Sequence, residues 1–179
     1  MELQRCCVTG SCGVWLLELE KKGKMRFIWK KKILFNHRLW VYADDKPYDP
    51  NSLTQPRTEI RIQGLDYWSG IWQFEGSVFV PNGTSGSTIV QIHGASHGNT
   101  TIILRIYDGD MSYYNGHIFA TGLCDKWFKV NLIHDVDGGK VAVFIDGKQI
   151  FETKDKGPGD LHFKCGVYAA PDNISYYME

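Results

Sequence analysis

Short runs of alternating apolar and polar residues, separated by turn-forming residues, fill the chain from residue 36 onward. Runs rich in Val, Ile, Phe, Tyr and Trp predict β-strands. The predicted strands are RLWVY (38–42), RTEIRIQ (57–63), IWQFEGSVFV (71–80), STIVQIH (87–93), TTIILRIY (100–107), WFKVNLIHDV (127–136), KVAVFID (140–146), KQIFET (148–153) and LHFKCGVY (161–168). No stretch keeps a helical period over a useful length. The pattern therefore predicts an all-β fold of two packed antiparallel sheets, either a sandwich or a jelly roll.

Turn-forming residues support this pattern. Asp108-Gly109, Asp137-Gly138-Gly139 and Asp146-Gly147 separate consecutive predicted strands. An Asp-Gly pair suits the two-residue type I′ turn, in which both central residues have positive φ. The segment VAVFIDGKQIFE is therefore predicted to form a β-hairpin.

Charge divides the chain into two parts. Residues 1–35 carry 8 Lys+Arg and 3 Asp+Glu (net +5), whereas residues 36–179 carry 12 and 17 (net −5). This asymmetry predicts an atypical basic N-terminal extension over 1–35, ahead of one domain over 36–179. The basic stretch KKGKMRFIWKKK (21–32) is either a poorly ordered segment or an arm for acidic lipid or nucleic acid. The net charge of the whole chain is zero, which gives no general case for a nucleic-acid partner.

Compartment signals are mixed. No apolar run approaches the roughly 18 residues of a membrane span. No signal peptide is recognisable, because the apolar VWLL at 14–17 is followed, not preceded, by the positive charges. Three sequons predict N-glycosylation at Asn82, Asn99 and Asn173 and favour the secretory pathway.

The cysteines do not predict a metal site. The first three, Cys6, Cys7 and Cys12, crowd the start of the chain without a matching histidine. Cys124 and Cys165 lie far apart beside apolar residues, and we interpret them as buried thiols in preference to a disulfide. No metal and no cofactor is expected.

Three predicted strands each carry polar residues on one face, because side chains two positions apart on a strand share a face. These groups are Arg57, Glu59 and Arg61; Gln91 and His93; and His162, Lys164, Gly166 and Tyr168. A salt-bridged outer surface explains each group singly. Gln and His are unusual on a purely solvated face, and Gly166 removes a side chain, which leaves room for an approaching group. The wall of a binding cleft is the alternative interpretation.

These residues carry a resemblance to a known family. RTEIR (57–61), QIH (91–93) and FKCGVY (163–168) resemble the three signature segments of the alginate-lyase-type polysaccharide lyases, family 7. The segments HRLWVYADDKPYDPNSLTQPRTEIRIQG and WFKVNLIHDVD are more similar to the plant citrate-binding proteins, a branch of that superfamily. The resemblance covers about 36–179 and implies a concanavalin-like jelly roll with a concave groove, and a vacuolar or extracellular location.

The resemblance also implies roles for the polar residues. In a lyase, Arg57 and Gln91 would hold a uronate carboxylate, which makes the neighbouring C5 proton more acidic. His93 or Tyr168 would remove that proton, and Tyr168 would protonate the leaving oxygen. Glu59 would orient Arg57 or Arg61. Arg61 and Lys164 would add positive potential along the groove.

Three functions follow from the resemblance and the residues. The first is a monomeric protein that binds citrate, another polycarboxylate or an acidic sugar through Arg57, Glu59, Arg61, Gln91, His93, Lys164 and Tyr168. The second is a metal-independent lyase that cleaves a uronate-containing polysaccharide by β-elimination. The third is a non-catalytic glycan-recognition protein in which Trp68, Trp72, Tyr113 and Tyr114 stack on sugar rings. The family pattern also predicts that the domain lacks its last strand, since the chain ends at YYME.

Overall fold

The chain forms two six-stranded antiparallel sheets in a computed structural model that describes residues 13–22, 31–42, 44–61, 64–114 and 116–171. The strands are β1 (Gly13–Lys22), β2 (Lys31–His37), β3 (Arg57–Arg61), β4 (Ile71–Phe79), β5 (Ser87–Ala95), β6 (Asn99–Tyr107), β7 (Asp110–Tyr113), β8 (Ile118–Ala120), β9 (Trp127–Asp135), β10 (Lys140–Ile145), β11 (Lys148–Lys154) and β12 (His162–Ala169). The first sheet has the order β11-β10-β9-β4-β1-β2, and the second has the order β3-β12-β5-β6-β7-β8. The prediction of an all-β jelly-roll sandwich is confirmed.

The core lies between the two sheets. Phe74 of β4 and Leu132 of β9 are fully buried on the first sheet, and Ile92, Ile102 and Phe163 meet them from the second. The rings of Phe74 and Phe163 stack across the sandwich with centroids 5.5 Å apart. Along β4, β9 and β10, alternate residues are therefore committed to this core, and their neighbours point outward.

Eight of the nine predicted strands are confirmed to within two residues at each end. The prediction of a strand at 38–42 is wrong. Val41 is buried and the backbone oxygen of Trp40 accepts a hydrogen bond from Thr58 Oγ1 at 2.8 Å, so the segment packs on β3 without joining a ladder. Val41 serves tertiary packing, whereas Trp40 and Tyr42 are 45% and 51% exposed. The strand pattern does not distinguish such packing from sheet pairing.

The structure also contains four strands that the sequence analysis did not predict, namely β1, β2, β7 and β8. β1 pairs with both β2 and β4 and so extends the first sheet beyond the predicted domain boundary. The division at residues 35 and 36 stays a prediction. The predicted absence of a last strand, Cys6, Cys7, Cys12 and the Asn173 sequon lie outside the described residues.

The predicted hairpin is confirmed. Ile145 pairs with Lys148 across a two-residue turn that joins β10 and β11. Asp146 and Gly147 occupy the turn with φ of 49° and 81°. Both central residues have positive φ, as a type I′ turn requires, and this is why the Asp-Gly pair predicted it.

Gly166 marks the closest approach of two strands in the second sheet. Its φ is 145°, and an added Cβ would lie 2.4 Å from the Thr58 carbonyl oxygen and 2.8 Å from the Glu59 Cα. The space beside Gly166 is therefore filled by β3 itself. The interpretation that this glycine leaves room for an approaching ligand is wrong, because it instead lets β3 dock against β12.

Cys124 and Cys165 are free thiols, half-buried and buried respectively. Burial raises the pKa of the Cys165 thiol to about 12 and also raises that of Cys124. Both therefore stay protonated at neutral pH, as expected for structural cysteines. Across the described ranges, no helix has the length and apolar character needed to cross a membrane.

Candidate functional site

The three polar groups predicted from the sequence lie side by side in the second sheet. β12 is flanked by β3 on one side and by β5 on the other. Lys164 pairs with Arg61 and with Gln91, Tyr168 pairs with Arg57, and His162 pairs with His93. Directly opposed residues in an antiparallel ladder point to the same face. The opposite face carries buried Cys165 and Ile92, so the polar face is the outer face of this sheet.

Arg57 is held in position by two neighbours. Its guanidinium carbon lies 4.4 Å from the centroid of the Tyr168 ring, a cation–π contact. Its Nη1 atom lies 3.8 Å from Glu59 Oε2. The Arg57 side chain is still 34% exposed, so the guanidinium remains accessible to a ligand from solvent.

Glu59 is the central carboxylate of the site. Its side chain is 6% exposed, and its Oε1 accepts a hydrogen bond from the Gln91 amide. Its Oε2 lies 4.0 Å from Lys164 Nζ as well as near Arg57. The hypothesis that Glu59 orients Arg57 agrees with these contacts. Gln91 is 2% exposed and its amide is engaged with Glu59, so it faces the carboxylate of its own chain.

Arg61 has a different partner from the one considered in the sequence analysis. Its Nη2 atom lies 2.9 Å from Asp66 Oδ2, in the segment that follows β3. Three cations, Arg57, Arg61 and Lys164, thus face two carboxylates, Glu59 and Asp66, which leaves an excess of one positive charge (3 − 2 = +1). The site is weakly cationic before either of its histidines is protonated.

A cleft of about 530 Å³ lies over these side chains. Its lining residues are Arg57, Thr58, Glu59, Arg61, His93, His162 and Lys164. Five of them belong to the set predicted from the sequence. Gln91 and Tyr168 lie beneath the lining, in contact with Glu59 and Arg57 respectively.

The site prediction missed two of the lining residues, Thr58 and the imidazole-bearing His162. Its ring lies 5.5 Å from that of His93, centroid to centroid, and its Nδ1 atom lies 3.2 Å from the Asp160 carbonyl oxygen. The signal was available, because His162 alternates with Lys164 and Tyr168 along the same strand. The family motif FKCGVY begins one residue later, so the resemblance implies no role for His162.

Burial and positive neighbours keep both cleft histidines neutral. Burial, followed by Lys164, His162 and the two arginines, lowers the pKa of His93 from 6.5 to about 4. Burial also lowers the pKa of His162, opposed by its contact with the Asp160 carbonyl. Burial lowers the pKa of Lys164, and the nearby Glu59 carboxylate opposes this effect. An anion bound in the cleft would favour the protonated histidines and so raise both pKa values.

The four aromatic residues considered for sugar stacking are not equivalent. Trp72 stacks on Tyr67 at 4.8 Å, Tyr113 packs on Phe151 at 5.3 Å, and Tyr114 donates to the Thr100 carbonyl oxygen. These three rings contribute to packing within the fold. Trp68 differs because it is 72% exposed.

Within the residues that the structure describes, no group of three or more His, Cys, Asp or Glu side chains is arranged to hold a metal ion. The cleft presents guanidinium, ammonium, imidazole and carboxylate groups.

Two packed antiparallel sheets with a cationic cleft on the outer face of one of them define a jelly-roll protein with a groove suited to anions. The family model described as alginate lyase matches residues 30–178, and the chain belongs to this family. A citrate-binding protein from Hevea brasiliensis is 54% identical over 142 residues, which are 79% of this chain and 60% of that protein. The chain thus spans about 60% of the length of this relative.

Two solved structures with the same architecture are those of an alginate lyase. The structure of alginate lyase AlyC3 has a TM-score of 0.53 and 13% identity, covering 86% of this chain and 83% of the enzyme. A complex of AlyC3 with dimannuronate has a TM-score of 0.51 and 12% identity, covering 86% and 82%. At these identities the likeness establishes the fold alone.

Proposed function

We propose that the chain binds a polycarboxylate such as citrate, or the carboxylates of an acidic carbohydrate, in the cleft over β3, β12 and β5. The observation that carries this proposal is the set of three cations around one cleft, with Arg57 held by Tyr168 and Glu59 yet still partly exposed. Arginine forms paired hydrogen bonds with a carboxylate, and Lys164 adds a second positive charge. The relative from Hevea brasiliensis, whose name is citrate-binding protein, supports the same ligand class.

Replacing Arg57 with alanine tests this proposal. The variant loses the exposed guanidinium, so citrate affinity is expected to fall by at least about tenfold at neutral pH. Isothermal titration calorimetry at low ionic strength measures the effect, because salt screens exposed charges. Lys140→Ala is the control, since it removes one positive charge from β10 in the other sheet. Equal citrate affinity in wild type and Arg57→Ala would mean that the ligand binds elsewhere.

β-Elimination on a uronate-containing polysaccharide is the second candidate function. It is favoured by the presence of Arg57, Gln91, His93 and Tyr168 on neighbouring strands of one sheet. One observation ranks it below binding. The Gln91 amide, which would hold the uronate carboxylate in a lyase, is engaged with Glu59.

The same protein preparations separate the two functions. Each elimination creates a C4–C5 double bond that absorbs ultraviolet light, so incubation with polyuronates is followed by absorbance. Citrate binding without any rise in absorbance is the expected result. A rise that disappears in Tyr168→Phe would instead make elimination the principal activity.

We also infer entry into the secretory pathway, with a vacuolar or extracellular destination. The exposed positions of Asn82, which lies in a turn, and Asn99 support N-glycosylation at these sequons. When the protein is expressed in a eukaryotic secretory host, enzymatic deglycosylation is expected to lower its mass. In the double variant Asn82→Gln, Asn99→Gln, this loss of mass is expected to be smaller. A mass unchanged by deglycosylation would contradict the inference.

A further inference from the structure

Arg105 of β6 is a buried cation without a carboxylate partner in the part of the chain that the structure describes. The residue is 6% exposed, and its Nε atom donates to Thr88 Oγ1 at 3.0 Å. None of the ion pairs between described residues includes Arg105. A buried guanidinium that lacks a counter-ion costs stability, since desolvation is not offset by an opposite charge.

Arg105 lies on the same face of the second sheet as the cleft. Its strand neighbours Leu104 and Ile106 are fully buried members of the core, so Arg105 points to the opposite face. Arg105 pairs with Thr88 of β5, and Thr88 pairs with Tyr168 of β12. Directly opposed residues share a face, so Tyr168, Thr88 and Arg105 form one row of side chains across the outer face of the sheet.

The row has a guanidinium at each end. Tyr168 pairs with Arg57 of β3, whose guanidinium lies over the Tyr168 ring. The order β3-β12-β5-β6 places three strand spacings between Arg57 and Arg105. At about 4.8 Å for each spacing, the two Cα atoms are about 14 Å apart. This separation exceeds the span of a single carboxylate and suits a ligand with carboxylates repeated along an extended chain.

We propose that Arg105 binds a second carboxylate of such an extended polycarboxylate, while Arg57 binds the first. The inference rests on the proposed function of the cleft and extends it from β3 to β6. Within the described residues, the hydrogen bond to Thr88 uses only Nε, so both Nη groups remain for the ligand. The carboxylate would supply the counter-charge that Arg105 lacks in the free protein.

The test compares a uronic acid trisaccharide with citrate by calorimetry. Arg105→Leu is expected to weaken trisaccharide binding by at least about tenfold more than it weakens citrate binding. Arg105→Lys keeps the charge but loses the planar pair of donors, so a smaller loss is expected. Lys140→Leu, which removes one charge from the other sheet, is the matched control and leaves both affinities unchanged.

Thermal unfolding of the free variants separates binding from a structural role. Removing an unpaired buried charge is expected to leave the melting temperature of Arg105→Leu equal to or above that of wild type. A lower melting temperature together with unchanged trisaccharide affinity would make Arg105 structural and overturn the proposal. Equal losses for citrate and trisaccharide would also overturn it, because Arg105 would then act on the Arg57 site. Failure of wild type to bind either probe would overturn the proposed function together with the role of Arg105.

Discussion

Replacing Gly166 with alanine is expected to lower the free energy of unfolding by about 3 kcal/mol. The φ of 145° at this position is one that residues with a side chain rarely adopt. The added Cβ would also meet the Thr58 carbonyl oxygen at 2.4 Å and the Glu59 Cα at 2.8 Å. Both contacts are with backbone atoms of β3, so relief requires this edge strand to move. Urea denaturation followed by circular dichroism measures the loss.

Gly83→Ala is the control for this substitution. Gly83 also has positive φ, at 81°, but no atom lies within 4 Å of an added Cβ. Only conformational strain applies there, so a smaller loss of about 1 kcal/mol is expected. Equal losses in the two variants would show that the contact between Gly166 and β3 contributes nothing.

Gly166→Ala is also expected to weaken ligand binding in the cleft. β3 carries Arg57, Glu59 and Arg61, and its register on β12 aligns Arg57 with Tyr168. Displacing β3 would separate the Arg57 guanidinium from the Tyr168 ring and the Glu59 carboxylate from Lys164. Citrate affinity, measured at a temperature where the Gly166→Ala variant is still folded, is therefore expected to fall.

Replacing His134 with leucine is expected to lower the free energy of unfolding by about 3 kcal/mol. The His134 ring is fully buried between Tyr67, whose hydroxyl lies 2.9 Å from Nδ1, and Asp155, whose Oδ2 lies 3.3 Å from Nε2. The Asp155 carboxylate accepts from Nε2–H, so Nδ1 of the neutral ring accepts from the Tyr67 hydroxyl. Burial raises the pKa of Tyr67 and so keeps this hydroxyl protonated. Leucine would leave the Tyr67 hydroxyl and the Asp155 carboxylate without these partners. Thermal and urea denaturation measure the loss.

Low pH is expected to destabilise the folded protein partly through His134. Burial lowers the pKa of His134, against the opposing effect of Asp155, and burial also lowers those of His162 and His93. The folded state then binds fewer protons than the unfolded state. Stability is full above the unfolded pKa of 6.5 and declines as pH falls toward about 4, the pKa of His93.

His134→Leu removes one of these three contributions, so its stability is expected to decline less steeply with acid than that of wild type. His117→Gln is the control, because His117 is exposed and its replacement should change the unfolding free energy by less than about 0.5 kcal/mol. Identical acid slopes in wild type and His134→Leu would contradict a role for His134 in acid sensitivity.

The sequence by itself determined eight of the strands, which of their residues share a face, and the candidate side chains of the site. Alternation with a period of two specifies which residues share a face, so Arg57, Glu59 and Arg61 were recognised as a group before their neighbours were known. The Asp146-Gly147 pair specified its turn because few residues tolerate positive φ. Both are local properties of the chain, and the structure agrees with them.

The tertiary structure alone decided which strands are neighbours, and so which charges meet. Strand register depends on contacts between residues far apart in the chain, for which local alternation carries no information. This is why the bond from Gln91 to Glu59 and the close packing at Gly166 were not predicted. The burial of Arg105 without a carboxylate partner among the described residues likewise depends on how the strands are ordered within the sheet.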